Sequence, residues 1–301
     1  MFALDLPSRV FVEEGARIEA AFAAACEWLK SLGVFPASNR FTEYLKLLND
    51  FRRGHDGLMN APDGLERYIN ALAEASELIR IRKSLQEIDA SEYLQQLGRI
   101  TSGKAFKTAV GADPARDFAF ELAVAARFLA AGHAVDLTSV ADTVAHVGRY
   151  KVFVECKRVQ SKSKVLARIS EARNQLSKRL ASSPSSKSRG LVACKITEVL
   201  NPEVQHAVFA HAENFRDASK ALLHGYVLEH EVELKQRITK KQLGILFENN
   251  LYGVVHDNED PKSVPAFINC RGATIYQAKL GAEDVALVGT LARGLANQHI
   301  V

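Results

Sequence analysis

From about residue 12 to residue 100 the apolar positions recur at helical spacing. Val12–Leu32 keeps this rhythm and stops at Gly33. Arg40–Arg53 follows, with Phe41, Tyr44, Leu45 and Leu48 on one stripe and Gly54 as its stop. Asp63 is placed to cap a third helix running through Leu85, in which Leu65, Tyr68, Ile69, Leu72 and Leu78 are spaced for burial. A shorter helix is predicted at Ser91–Leu97, ahead of the polar stretch Thr101–Lys104. These stripes read as core, and no catalytic constellation stands among them.

The period changes after Gly111. Asp113 and Pro114 open a helix that runs to Ala131, with the proline in its first turn, and Gly132 ends it. Two segments of strand character follow, Ala134–Val147 and Tyr150–Arg158, and the first is long enough for two short strands. A basic helix at Lys164–Leu180 buries Val165, Ile169, Ala172 and Leu176, and a serine-rich loop leads to an apolar strand at Gly190–Ile196. The order helix, hairpin, helix, strand lets the last strand lie parallel to Tyr150–Arg158 through a right-handed crossover, which defines an α/β core. Farther on, Ala212–Ile238 reads mainly as helix, although Tyr226–Lys235 also alternates like a strand. Ile245–Val255 and Ala266–Ala278 read as strands and Glu283–Ala296 as a closing helix. The chain holds no internal repeat and no glycine-rich phosphate loop.

Composition narrows the class. The chain has 301 residues, 47% of them hydrophobic and 25% charged, the balance of a globular protein with a real core. No run approaches the roughly 18–20 apolar residues that cross a bilayer, and the first residues lack a basic stretch followed by an apolar block. The four cysteines, Cys26, Cys156, Cys194 and Cys270, are scattered without a Cys-x-x-Cys pair. Reduced thiols in a cytoplasmic protein are therefore expected. The net charge of +4 does not by itself demand a polyanionic partner.

The segment from Asp142 to Lys157 carries the chemistry. With Gly148 and Arg149 as a two-residue turn, Val147 faces Tyr150, Val144 faces Phe153, and Asp142 faces Glu155. Directly opposed residues share a sheet face with Cβ atoms roughly 5 Å apart, and Lys157 lies on that face one pleat further. Two facing carboxylates repel, so a cation is expected between them. Hard oxygen ligands suit Mg²⁺ or Mn²⁺, and an adjacent lysine suits a phosphate or its attacking water. Glu121, among Phe118, Val124, Ala125 and Phe128 on the preceding helix, is a carboxylate on an apolar stripe and can point at the same cation. Gln175 on the basic helix, beside Lys178 and Arg179, is a fifth candidate. Asp136 is the rival of Asp142, and His146 shares its face opposite Lys151. A second Glu-x-Lys, at Glu233–Lys235, has no acid-bearing hairpin before it.

The series Glu121, Asp142, Glu155-Cys156-Lys157 and Gln175 resembles the PD-(D/E)xK nuclease superfamily, of restriction-endonuclease-like fold, over residues 113–196. Ala141 stands where the named motif has proline. The resemblance implies a mixed sheet flanked by helices and a metal, Mg²⁺ or Mn²⁺, held by Asp142, Glu155 and the backbone carbonyl of Cys156. Lys157 would serve the nucleophilic water, with Glu121 as auxiliary ligand and Gln175 as helper. The basic residues Arg158, Lys162, Lys164, Arg168, Lys178 and Arg179 would contact nucleic acid, DNA in preference to RNA. The expected organisation is a helical region over 1–108, for a protein partner, dimer contacts or substrate, and a nuclease domain over 109–301. The expected function is phosphodiester hydrolysis in restriction, defence or repair. The rival is a non-catalytic nucleic-acid-binding or regulatory protein on the same fold.

Overall fold

A computed structural model describes the chain except for residues 1, 13–14, 55–60, 62, 107–112, 139–141, 184, 201–207, 237, 257–265, 278–279 and 297–301. It divides into a helical unit, described over 15–126, and a sheet unit, described over 2–12 and 127–296.

The helical unit contains α1 (Gly15–Ser31), α2 (Arg40–Arg52), α3 (Gly64–Leu85) and α4 (Leu94–Ile100). Helix α5 (Pro114–Ala130) crosses the division between Ala126 and Arg127. Asn39 caps α2, its side chain accepting from the backbone N–H groups of Phe41 and Thr42. Asp63 precedes α3 as expected but makes no side-chain cap bond. Phe22, Leu29, Phe41, Tyr44, Leu72 and Leu78 are buried in the unit. A buried ionic knot crosses it: Glu74 accepts from Arg40 at 2.9 Å and from Arg116 at 2.7 Å, and Arg116 also donates to the Tyr44 hydroxyl.

The sheet unit is built on β1 (Phe2–Val12), β2 (Ala134–Asp136), β3 (Thr143–Val147), β4 (Tyr150–Arg158), β5 (Ser188–Lys195), β6 (Val208–Phe209), β7 (Gln242–Val255) and β8 (Ala266–Gln277). Its order is β1-β8-β7-β5-β4-β3-β2, with β6 beside β7. The pairs β2·β3 and β3·β4 are antiparallel, β4·β5 and β5·β7 are parallel, and β7·β8 and β8·β1 are antiparallel. Helix α6 (Val165–Ser182) connects β4 to β5, as the sequence predicts. The unit also holds α7 (Ala212–Glu229), α8 (Glu231–Leu234) and α9 (Ala282–Leu295). The alternating stretch Tyr226–Lys235 is therefore helical. Val165, Ile169, Ala172 and Leu176 of α6, with Leu223 and Tyr226 of α7, form one core with Val144, Phe153, Val192, Cys194, Ile245 and Phe247 of the sheet.

Two features depart from the sequence reading. Residues 2–12, grouped there with the helical region, form an edge strand of the sheet unit. Its register slips between Leu6 and Arg9, where Pro7 supplies no N–H to a ladder. That break hides the alternation that would mark a strand. The second is at the start of β7, where Gly244 adopts φ 151°, and a Cβ there would stand 2.2 Å from the Tyr276 carbonyl oxygen. Only glycine lets β7 and β8 approach so closely.

Candidate active site

The hairpin register is the expected one: Val147 pairs with Tyr150, Val144 with Phe153 and Thr143 with Val154. Gly148 takes φ 57°, the left-handed conformation that a two-residue hairpin turn requires. Asp142 lies one residue before β3, in line with Glu155. In a two-residue hairpin the N–H groups of Tyr150, Val152, Val154 and Cys156 face the partner strand. Where β3 ends, the carboxylate of Asp142 takes over: its Oδ2 accepts from the Cys156 N–H at 2.7 Å. The Cys156 carbonyl points to the same side by the same ladder geometry.

Glu155 shares the face of Phe153, the face covered by α6, and is only 1% exposed. A surface hairpin would leave it in water. It forms an ion pair with Arg179 of α6. Burial pushes the Arg179 guanidinium down from its usual range, and the neighbouring charge of Asp142 opposes that shift. Arg179 therefore pairs with Glu155 and also feels the charge of Asp142. Neither Glu155 oxygen has a directed hydrogen bond, and neither has the buried Oε1 of Gln175, one helical turn before Arg179. Lys157 is half-buried and pairs with Glu171 at 3.8 Å. The Glu171 carboxyl is held below its ordinary value, first by a hydrogen bond from Arg168 and, against the effect of burial, by Lys157.

Asp142, Glu155, Lys157 and Gln175 are therefore gathered within the sheet unit, whereas Glu121 lies half-buried on α5 in the helical unit. Asp136 spends its Oδ1 on the N–H and hydroxyl of Thr138, a local turn. His146 pairs with Lys151 near the hairpin tip and is exposed.

The basic run is more neutralised than its sequence suggests. Arg158 pairs with Glu198, Lys162 with Glu229, and Arg168 with Glu171. Lys164 and Lys178 stand exposed on the helix side. Glu171, missed from sequence, and Arg179, read there as a nucleic-acid contact, flank Gln175 at steps of four residues. That spacing is the signal that places all three on one stripe of α6.

Among the described residues no three His, Cys, Asp or Glu side chains are grouped to hold a metal ion. The donor chemistry nevertheless fits one. Asp142 and Glu155 stand opposite each other in the hairpin register, Glu155 is buried and paired with a cation, and the buried amide oxygen of Gln175 lies on the covering helix. All four cysteines are free and buried, and no described helix is long and apolar enough to cross a membrane. No family model, characterised protein or solved structure matches the chain.

Proposed function

We propose that this protein is a divalent-metal-dependent nuclease that hydrolyses phosphodiester bonds. The observation that carries the reading is buried Glu155, paired with Arg179 and standing opposite Asp142 in the hairpin register, with Lys157 one pleat beyond. The helix–three strands–helix–strand order of α5 to β5 supports a restriction-endonuclease-like core.

Asp142, Glu155 and the Cys156 carbonyl would hold Mg²⁺ or Mn²⁺. Bound there, the ion would lower the pKa of a coordinated water and neutralise charge on the phosphate. Asp142 keeps one oxygen on the Cys156 N–H, which fixes the direction of the other. Lys157 sits against the Glu171 carboxylate. Its role would be to counter charge on the phosphate and to orient the nucleophile. The Gln175 amide oxygen can accept a hydrogen bond from the attacking water.

DNA is the preferred substrate over RNA by fold analogy alone, and restriction, defence or repair would use such an activity. One observation favours the non-catalytic rival: an arginine is paired with Glu155, as it would be in a nuclease-like scaffold that only binds. Nicking of supercoiled plasmid and cutting of single strands with Mg²⁺ or Mn²⁺ separates the two. Wild type is expected to cut, and Asp142→Ala and Lys157→Ala each to lose at least about 10²-fold while folding normally. Equal rates in both variants would overturn the assignment.

A further inference from the structure

We propose that Arg179 is a built-in counter-ion: it closes the acidic pair to metal and, once displaced, turns to the substrate phosphate. The inference rests on Asp142 and Glu155 being the metal-binding pair.

Two ionised carboxylates facing each other beneath a covering helix are stabilised by positive charge, with or without metal. Arg179 supplies one unit through its contact with Glu155, and its charge also interacts with that of Asp142. A guanidinium and a divalent cation cannot share the same oxygens, so binding of one requires departure of the other.

The side chain has somewhere to go. Arg179 is 21% exposed, whereas Glu155 is 2% or less, so the arginine spans the boundary between the buried acids and solvent. Exposed Lys178 adjoins it on α6. Swung outward, the guanidinium stands beside the metal position with five donors, a group suited to the oxygens of a phosphodiester. Gln175 stays behind one turn away. Metal entry and assembly of the phosphate contact thereby become one event, so the site is charged for cleavage only when loaded.

Isothermal titration of the full-length protein with MnCl₂, together with the nicking rate at saturating Mn²⁺, tests this in wild type, Arg179→Gln and Glu155→Gln. If the arginine-out form is populated about one-tenth of the time, Arg179→Gln binds Mn²⁺ about tenfold more tightly than wild type. Its nicking rate at saturation falls by at least about tenfold for want of the phosphate contact. Arg179→Ala, with the strongest helix former, repeats the measurement should the glutamine variant unfold. Unchanged Mn²⁺ affinity in the arginine variants, with binding lost in Glu155→Gln, overturns the counter-ion role and leaves the metal site standing. Tighter binding with an unchanged nicking rate overturns the phosphate contact. Absence of Mn²⁺ binding in every variant overturns the metal site and this inference together.

Discussion

Replacing Glu248 by glutamine removes a carboxylate from a buried knot of cations in the sheet unit. Glu248, in β7, is 1% exposed and receives Arg271 of β8 at 2.8 Å and Arg127 of α5 at 3.3 Å. Lys195 of β5, paired in register with Glu248, adds its field. Burial alone would push the Glu248 carboxyl up. Arg271, Arg127 and Lys195 together override burial and hold it down to about 2, from an ordinary 4.5. Glutamine keeps the volume and an acceptor, so no cavity forms and the change is one of charge. Removing one partner of a buried ion pair costs about 3–5 kcal/mol, and the depressed pKa gives a similar figure of about 3 kcal/mol. The sign follows from linkage: a depressed carboxyl stabilises the fold above its unfolded value of 4.5, and that contribution drains away as pH falls toward about 2. Urea unfolding followed by far-UV circular dichroism, with hydrogen exchange of β7 and β8 peptides to report on this unit, reads the effect. At pH 7 the variant should be less stable by about 3 kcal/mol or more, and the gap to wild type should narrow between pH 4.5 and pH 3. A gap under about 0.5 kcal/mol at pH 7, or one that stays constant with pH, would refute the reasoning.

Tyr44→Phe deletes a buried hydroxyl that donates to the Ala105 carbonyl and accepts from Arg116. A loss of about 1–2 kcal/mol is expected in the unfolding of the helical unit, read by the fluorescence of Trp28, which packs at 6.3 Å from Tyr93 in that unit; no change would refute the knot's role. Gly244→Ala places a Cβ 2.2 Å from the Tyr276 carbonyl and should destabilise by more than about 3 kcal/mol or prevent soluble expression. A melting temperature like that of wild type would show that β7 and β8 can separate at that point.

Much of the fold was written in local pattern. Gly148 and the two-fold alternation around it fix the hairpin, and with it the opposition of Asp142 to Glu155, because a two-residue turn leaves a single register. The 3.6-residue stripes of α1 to α3 and the basic α6 were legible for the same reason. Strand β1 was not, because Pro7 interrupts its alternation and its partner β8 lies at the other end of the chain. The candidate acids and Lys157 could be read from register, but their counter-ions could not. Glu198, Glu229 and Glu171 reach Arg158, Lys162 and Arg168 through tertiary packing or an adjacent helix turn, so counting like charges along a segment overstates the free basic surface. Arg179 was read as one of a run of basic nucleic-acid contacts. Its place against Glu155 depends on how α6 lies over β4.

Diffraction from crystals soaked in Mn²⁺, recorded at the manganese absorption edge, is the most direct test of the central claim. The account predicts one anomalous peak within about 2.5 Å of oxygens from both Asp142 and Glu155, with the Arg179 side chain withdrawn from the pair. An ion bound elsewhere, or a guanidinium still seated between the two acids at saturating Mn²⁺, would contradict it.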